Sequence, residues 1–263
     1  MTQSSLRQFL LTPPDQQAQA KAFGLPLVHM AFQLGSDGHL HQTTGASCQG
    51  GLMLVGAQRI PGGGSDPRGV VRELVQTCVQ RNFSGIVLDL EQSPTPYLAR
   101  LIQNLDGNLA QRNRALFLPE SYANYSSRAF LCISSAISGG SLRQRLEDAI
   151  DLYGADRIVL NLRRVAEDFY LPAPHGSGHP MTQEELAQRR KRVDATEFYS
   201  HDLCAHYFTY MSRETGAHFI LFDNEESLRK KRELAISLGI SRFFLLYPEV
   251  SDLLPSLLTI EAV

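Results

Sequence analysis

Two carboxylates, Asp89 and Glu91, close the run Phe83-Ser84-Gly85-Ile86-Val87-Leu88-Asp89-Leu90-Glu91-Gln92. In an extended strand alternate side chains share a face, so Val87, Asp89 and Glu91 point one way and Ile86, Leu88 and Leu90 the other. The all-apolar face packs under a covering layer. The two acids then stand together on the opposite face, at the C-terminal end of the strand. Their Cα atoms are about 6–7 Å apart, near enough for the charge on one to raise the proton affinity of the other. That suits Glu91 to donate a proton near neutral pH, with Asp89 as its ionised or hydrogen-bonding neighbour. The purely structural alternative is a carboxylate held by the amides of the next loop or by an arginine.

Other polar groups end other apolar runs in the same way. Gln58 and Arg59 follow residues 52–57, Glu120 follows 115–118, Arg163 and Arg164 extend 157–162, and Tyr247 and Glu249 come at and after the end of 242–247. Gln58, Glu120, Arg163 and Glu249 are therefore candidates to contact a ligand beside Asp89 and Glu91. An arginine here also serves as a structural counter-ion. If Arg163 pairs with Glu91, it lowers that acid's proton affinity and removes it as a proton donor.

The elements that must position these groups follow from the spacing of the apolar runs. Runs at 27–34, 52–57, 86–90, 115–118, 129–133, 157–162 and 242–247 alternate with helical patterns, which predicts βα units around a parallel sheet. At 263 residues the chain has the length of one α/β domain of the TIM (β/α)8 type, with the acids at the mouth of the barrel. Ser141 and Gln144 have capping-box spacing ahead of a helix that ends at Gly154, and Asp223-Asn224-Glu225-Glu226 opens one that ends at Gly239. The rhythm fails between 172 and 222. There a Pro/Gly/His loop, a polar helix from Thr182 and a hairpin of 207–210 with 218–222 form an expected insertion. Residues 1–24 read as an N-terminal segment before a single barrel domain over 25–263. The eighth barrel strand is either hidden in that segment or absent.

Composition excludes several classes. A net charge of −2 and a pI near 6.4 give no reason to expect nucleic acid, and no apolar run reaches the roughly 20 residues of a membrane span. No leader is recognisable, so the expected location is cytoplasmic. Cys48, Cys78, Cys132 and Cys204 are too scattered for a disulfide framework or a zinc ribbon. His175 with His179, and His201 with Cys204 and His206, lack zinc spacing, and the glycine-rich 61–67 lacks a P-loop lysine. Ser134, Ser135 and Ser138 lack a nucleophile-elbow context. No cofactor or metal is implied. The expected partner is a small molecule or an oligosaccharide, with the oligomeric state open.

The stretch from Phe83 to Gln92 resembles the strand-four signature of glycoside hydrolase family 18, D-G-x-D-x-D-x-E, through Gly85, Asp89 and Glu91; Ser84 and Val87 stand in the places of the first two aspartates. Residues 27–32 with Asp37-Gly38, and 157–172, are similar to the family's second and seventh strands. Tyr207-Phe208-Thr209-Tyr210, 218–223, Glu226-Ser227-Leu228-Arg229 and Leu238-Gly239-Ile240 resemble its spore-germination and cortex-lytic branch. The resemblance implies a chitinase-like barrel acting on N-acetylated β-linked glycans such as peptidoglycan or chitin fragments. Glu91 would be the acid/base, and Asp89 would orient the substrate's N-acetyl group, which serves as the nucleophile. Where the family's sixth strand typically ends in Met-Thr-Tyr-Asp, this chain reads Cys132-Ile133-Ser134-Ser135. It has no tryptophan, and Tyr247 stands near the usual sugar-floor position. The alternative is a catalytically inactive barrel of the same kind, serving as a glycan-binding or protein-interaction scaffold.

Overall fold

Runs of β-branched, aliphatic and aromatic residues flanked by helices favour strands buried on both faces, the condition of a parallel sheet. The computed structural model describes residues 6–43, 47–57, 66–172 and 178–258. Numbered along the chain, the strands are β1 (Arg7–Thr12), β2 (Leu27–Leu34), β3 (Leu40–Gln42), β4 (Leu52–Ala57), β5 (Gly85–Leu90), β6 (Ala115–Pro119) and β7 (Phe130–Ser134). There follow β8 (Ile158–Leu162), β9 (Ala166–Leu171), β10 (His179–Pro180), β11 (Phe198–Ser200), β12 (Ala205–Ser212), β13 (Gly216–Phe222) and β14 (Arg242–Leu246).

Eight of them form a closed parallel barrel in the order β1-β14-β8-β7-β6-β5-β4-β2, completed by the pairing of β1 with β2; β3 adds an antiparallel edge to β2 outside the ring. This is the TIM-type wall expected from the sequence, and the eighth strand is β1, inside the first 24 residues. Its interior is filled by Leu11, Val28, Leu52, Leu54, Val87, Phe117, Val159 and Phe244. Gly85 is required where β5 meets β6, because a Cβ there would lie 2.4 Å from the Ala115 carbonyl oxygen. Helices Arg68–Gln80 and Pro96–Ala110 bury Leu74, Val75, Leu101, Ile102 and Leu105.

The chain divides into two compact units. The first comprises Met1–Ile133, Gly154–Asn161 and Ser241–Pro248, the second Ser134–Tyr153, Leu162–Ile240 and Glu249–Val263. The second contains an antiparallel sheet, β10-β9-β13-β12-β11. The expected hairpin is β12 with β13, and 218–222 belongs to this sheet and not to the barrel wall. The sheet also recruits Ala166–Leu171, so the irregular region begins earlier than residue 172. Helix Gln183–Val193 starts with a capping box of Thr182 and Glu185, and helix Glu225–Ser237 with one of Asn224 and Ser227.

Candidate active site

Strand alternation sets the site. Val87 belongs to the barrel-interior cluster, whereas Ile86, Leu88 and Leu90 are buried on the other face. Asp89, two residues beyond Val87, occupies the inner face at the C-terminal end of β5 and is exposed. In a barrel of this type that end is where reacting groups gather. Glu91 lies just past the strand and is also exposed. Within its own unit, no described residue hydrogen-bonds or ion-pairs with the Glu91 carboxylate.

The backbone that carries Glu91 is pinned next door. The Gln92 carboxamide donates to the Ala57 carbonyl at 3.4 Å, and the Tyr122 hydroxyl donates to the Gln92 carbonyl at 2.6 Å. Tyr122 is fully buried and lies in the 3-10 turn Glu120–Tyr125, which Glu120 opens from a half-buried position. That turn carries no helical or strand periodicity from which Tyr122 could be read as a clamp.

Two further side chains belong to this part of the barrel. Gly56 pairs in register with Asp89 across β4 and β5, and Gln33 pairs with Gly56 across β2 and β4. The Gln33 carboxamide lies over Gly56, where its nitrogen would be 3.0 Å from any added Cβ. A register shift between His29 and Phe32 brings Gln33 to this place, and a bulge of that kind cannot be read from alternation. The second is Cys132 on β7, packed against the barrel-interior cluster. Burial, and then the charge of Asp89, push its thiol up to about 12. Cys132 therefore faces Asp89 as a neutral thiol.

Arg163 and Glu249, two other candidates from the sequence, lie in the second unit. Arg163 forks on Glu249, its Nε lying 2.9 and 3.0 Å from the two carboxylate oxygens. Arg164 adds a backbone N–H to Glu249 at 3.1 Å and reaches Asp252 with its guanidinium at 2.8 Å. The second unit therefore holds Arg163 and Glu249 as each other's partners, and Glu249 is the acid that the Arg163 guanidinium neutralises. Tyr247 is 8% exposed with its ring 6.0 Å from that of Phe23, so it offers no open face for a sugar to stack on. Gln58 lies outside the described residues. All four cysteines are free thiols, and among the described residues no group of three His, Cys, Asp or Glu side chains is placed to hold a metal ion. No helix among the described residues is long and apolar enough to cross a membrane.

Solved structures share this architecture. A chitinase from Chromobacterium violaceum superposes with a TM-score of 0.68 at 17% identity, over 90% of this chain and 93% of that one. The spore cortex-lytic enzyme SleL of Bacillus megaterium gives 0.66 at 16%, over 92% and 71%. The fold is that of the chitinase-like barrels. A family 18 chitinase from Cycas revoluta, solved with (GlcNAc)4, gives 0.62 at 12%, over 96% and 98%. No family model matches the sequence, and no curated protein matches it. At these identities the likeness is one of fold alone, and fold does not fix function.

Proposed function

We propose that the chain is a glycoside hydrolase of the chitinase type acting on N-acetylated β-linked glycans, peptidoglycan or chitin fragments. The observation that carries this reading is the pair at the end of β5: Asp89 on the inner face at the barrel mouth, and an exposed Glu91 two residues on, whose carboxylate has no partner among the described residues of its own unit. Glu91 protonates the glycosidic oxygen as its bond to the anomeric carbon breaks. The acetamide oxygen of the same sugar attacks that carbon, a variant in which the substrate supplies the nucleophile in place of a second carboxylate. Asp89 accepts a hydrogen bond from the acetamide N–H and turns the group toward the carbon. Water then enters, gives its proton to Glu91 and opens the cyclic intermediate. The neutral Cys132 thiol adds no competing charge to this step. The cycad enzyme's bound (GlcNAc)4 supports the ligand class.

A second reading, a silent barrel that binds glycan or serves as a scaffold, is favoured by two observations. Tyr247 is buried, and β7 ends in Cys132-Ile133-Ser134 without a tyrosine to hold the acetamide. The test is hydrolysis of N-acetylglucosamine oligomers and peptidoglycan fragments by the native protein, run beside thermal melts with the same glycans. Turnover supports the enzyme. A raised melting temperature without turnover supports the silent binder, and neither effect sinks the glycan reading altogether.

A further inference from the structure

The antiparallel sheet of the second unit holds a buried polar group for which the barrel chemistry has no use. Asp168 on β9 is 3% exposed and His218 on β13 is 2% exposed. Asp168 Oδ1 lies 2.8 Å from His218 Nδ1, and His218 Nε2 lies 2.6 Å from Thr215 Oγ1. Thr215 precedes β13 in the turn from β12 and is exposed. The second Asp168 oxygen accepts from the Arg189 guanidinium at 2.9 Å, and Arg189 also donates to the Tyr210 hydroxyl.

A carboxylate that faces a guanidinium is ionised and can only accept. In the neutral ring, Nδ1 carries the proton and donates it to Asp168, which leaves the Nε2 lone pair for the Thr215 hydroxyl proton. The imidazole is held in this orientation from both sides. Tyr210 stacks on it at 4.4 Å and 14°, and Tyr170 stands edge-on at 4.6 Å and 81°. Exposed hydroxyl, imidazole and deeper carboxylate thus follow one another in the order that nucleophile, base and orienting acid take in acyl transfer.

We propose that Thr215 is an activated nucleophile in a second reactive centre that takes the acyl group of small carboxylic esters, with His218 as general base and Asp168 as its positioning residue. As the bond from Thr215 Oγ1 to the acyl carbon forms, the hydroxyl proton passes to His218 Nε2. The tetrahedral oxyanion collapses and breaks the bond to the leaving alkoxide or phenoxide, which takes the proton back from the imidazolium. Water repeats the sequence on the acyl-threonine and releases the carboxylic acid, so ester and water become acid and alcohol. Tyr170, 42% exposed beside the imidazole, offers apolar surface for the acyl or aryl part of the ester.

The probe is p-nitrophenyl acetate with the full chain, read by p-nitrophenolate release and by mass spectrometry of the peptide carrying Thr215. The proposal expects an acetyl group on Thr215. It expects release to fall at least about 100-fold in Thr215→Ala and His218→Gln, the scale of a lost general base, and to persist in Thr215→Ser. Thr215 is exposed in a turn, so circular dichroism of Thr215→Ala should match the native protein, and the Ala and Ser variants decide the matter even if His218→Gln unfolds. Equal release by native protein and Thr215→Ala, or acetylation only at other residues, overturns the proposal and leaves the network as a fastener of the turn.

Discussion

Glu91 can act as an acid only where it is held in reach of a glycosidic oxygen, and the holding falls to its neighbour. The Tyr122 hydroxyl bond to the Gln92 carbonyl is the part of that support that one atom removes. Tyr122→Phe should cost about 0.5–1.5 kcal/mol of stability, a melting-temperature loss of about 2–4 °C per kcal/mol, and should lower kcat more than it raises KM. An unchanged kcat would mean that Glu91 is positioned by other means. Cys132 makes a separate prediction. Burial and the Asp89 charge raise its thiol from an ordinary value of 9.0 to about 12, and burial raises Cys78 to about 11. A folded thiol that keeps its proton longer than the unfolded one stabilises fully below about pH 9, and that contribution is lost as pH rises through the folded values. The urea midpoint should therefore fall between pH 9 and 11, and less steeply in Cys132→Ser, whose hydroxyl does not titrate there.

At the scale of elements, Asp223 joins three segments of the second unit. It accepts from the Val165 amide at 2.9 Å, the Ser227 hydroxyl at 2.7 Å and the buried Lys231 ammonium at 2.7 Å, tying the end of β13 to helix Glu225–Ser237. Asp223→Ala strands that ammonium without a partner and should cost about 3–5 kcal/mol in urea unfolding, whereas Lys231→Met should cost less. The seven strands from β2 onward in the barrel wall were legible because each ends an apolar run between helical patterns. Strand β1 was not, since Arg7–Thr12 is short and runs straight into Pro13-Pro14. Ala166–Leu171 reads as a continuation of β8 because its partner β13 lies some fifty residues on, as the Ile220 to Asp168 pairing shows. The face occupied by Asp89 followed from period-two alternation in five residues. The bond from Arg163 to Glu249 spans 86 positions and leaves no local trace, and Gln33 reaches Gly56 only through a bulge.

For the whole molecule, the near-balanced charge of −2 bears on the ligand. Affinity for an uncharged oligosaccharide rests on hydrogen bonds and apolar contact, which salt screens little. (GlcNAc)4 at about 100 times its Kd should stabilise the fold by about 2.7 kcal/mol, and the melting shift should be the same in 50 and 500 mM NaCl, roughly spanning weak to strong screening. A shift that disappears with salt would point to an anionic ligand instead. The central claim is that Glu91, at the mouth of this barrel, is the proton donor for glycoside cleavage. Its most direct test is kcat for an N-acetylglucosamine oligomer with native protein and Glu91→Gln at saturating substrate. In Glu91→Gln kcat should fall about 10²–10⁴-fold with the melting temperature unchanged; equal turnover by the two proteins would mean that Glu91 is not the donor.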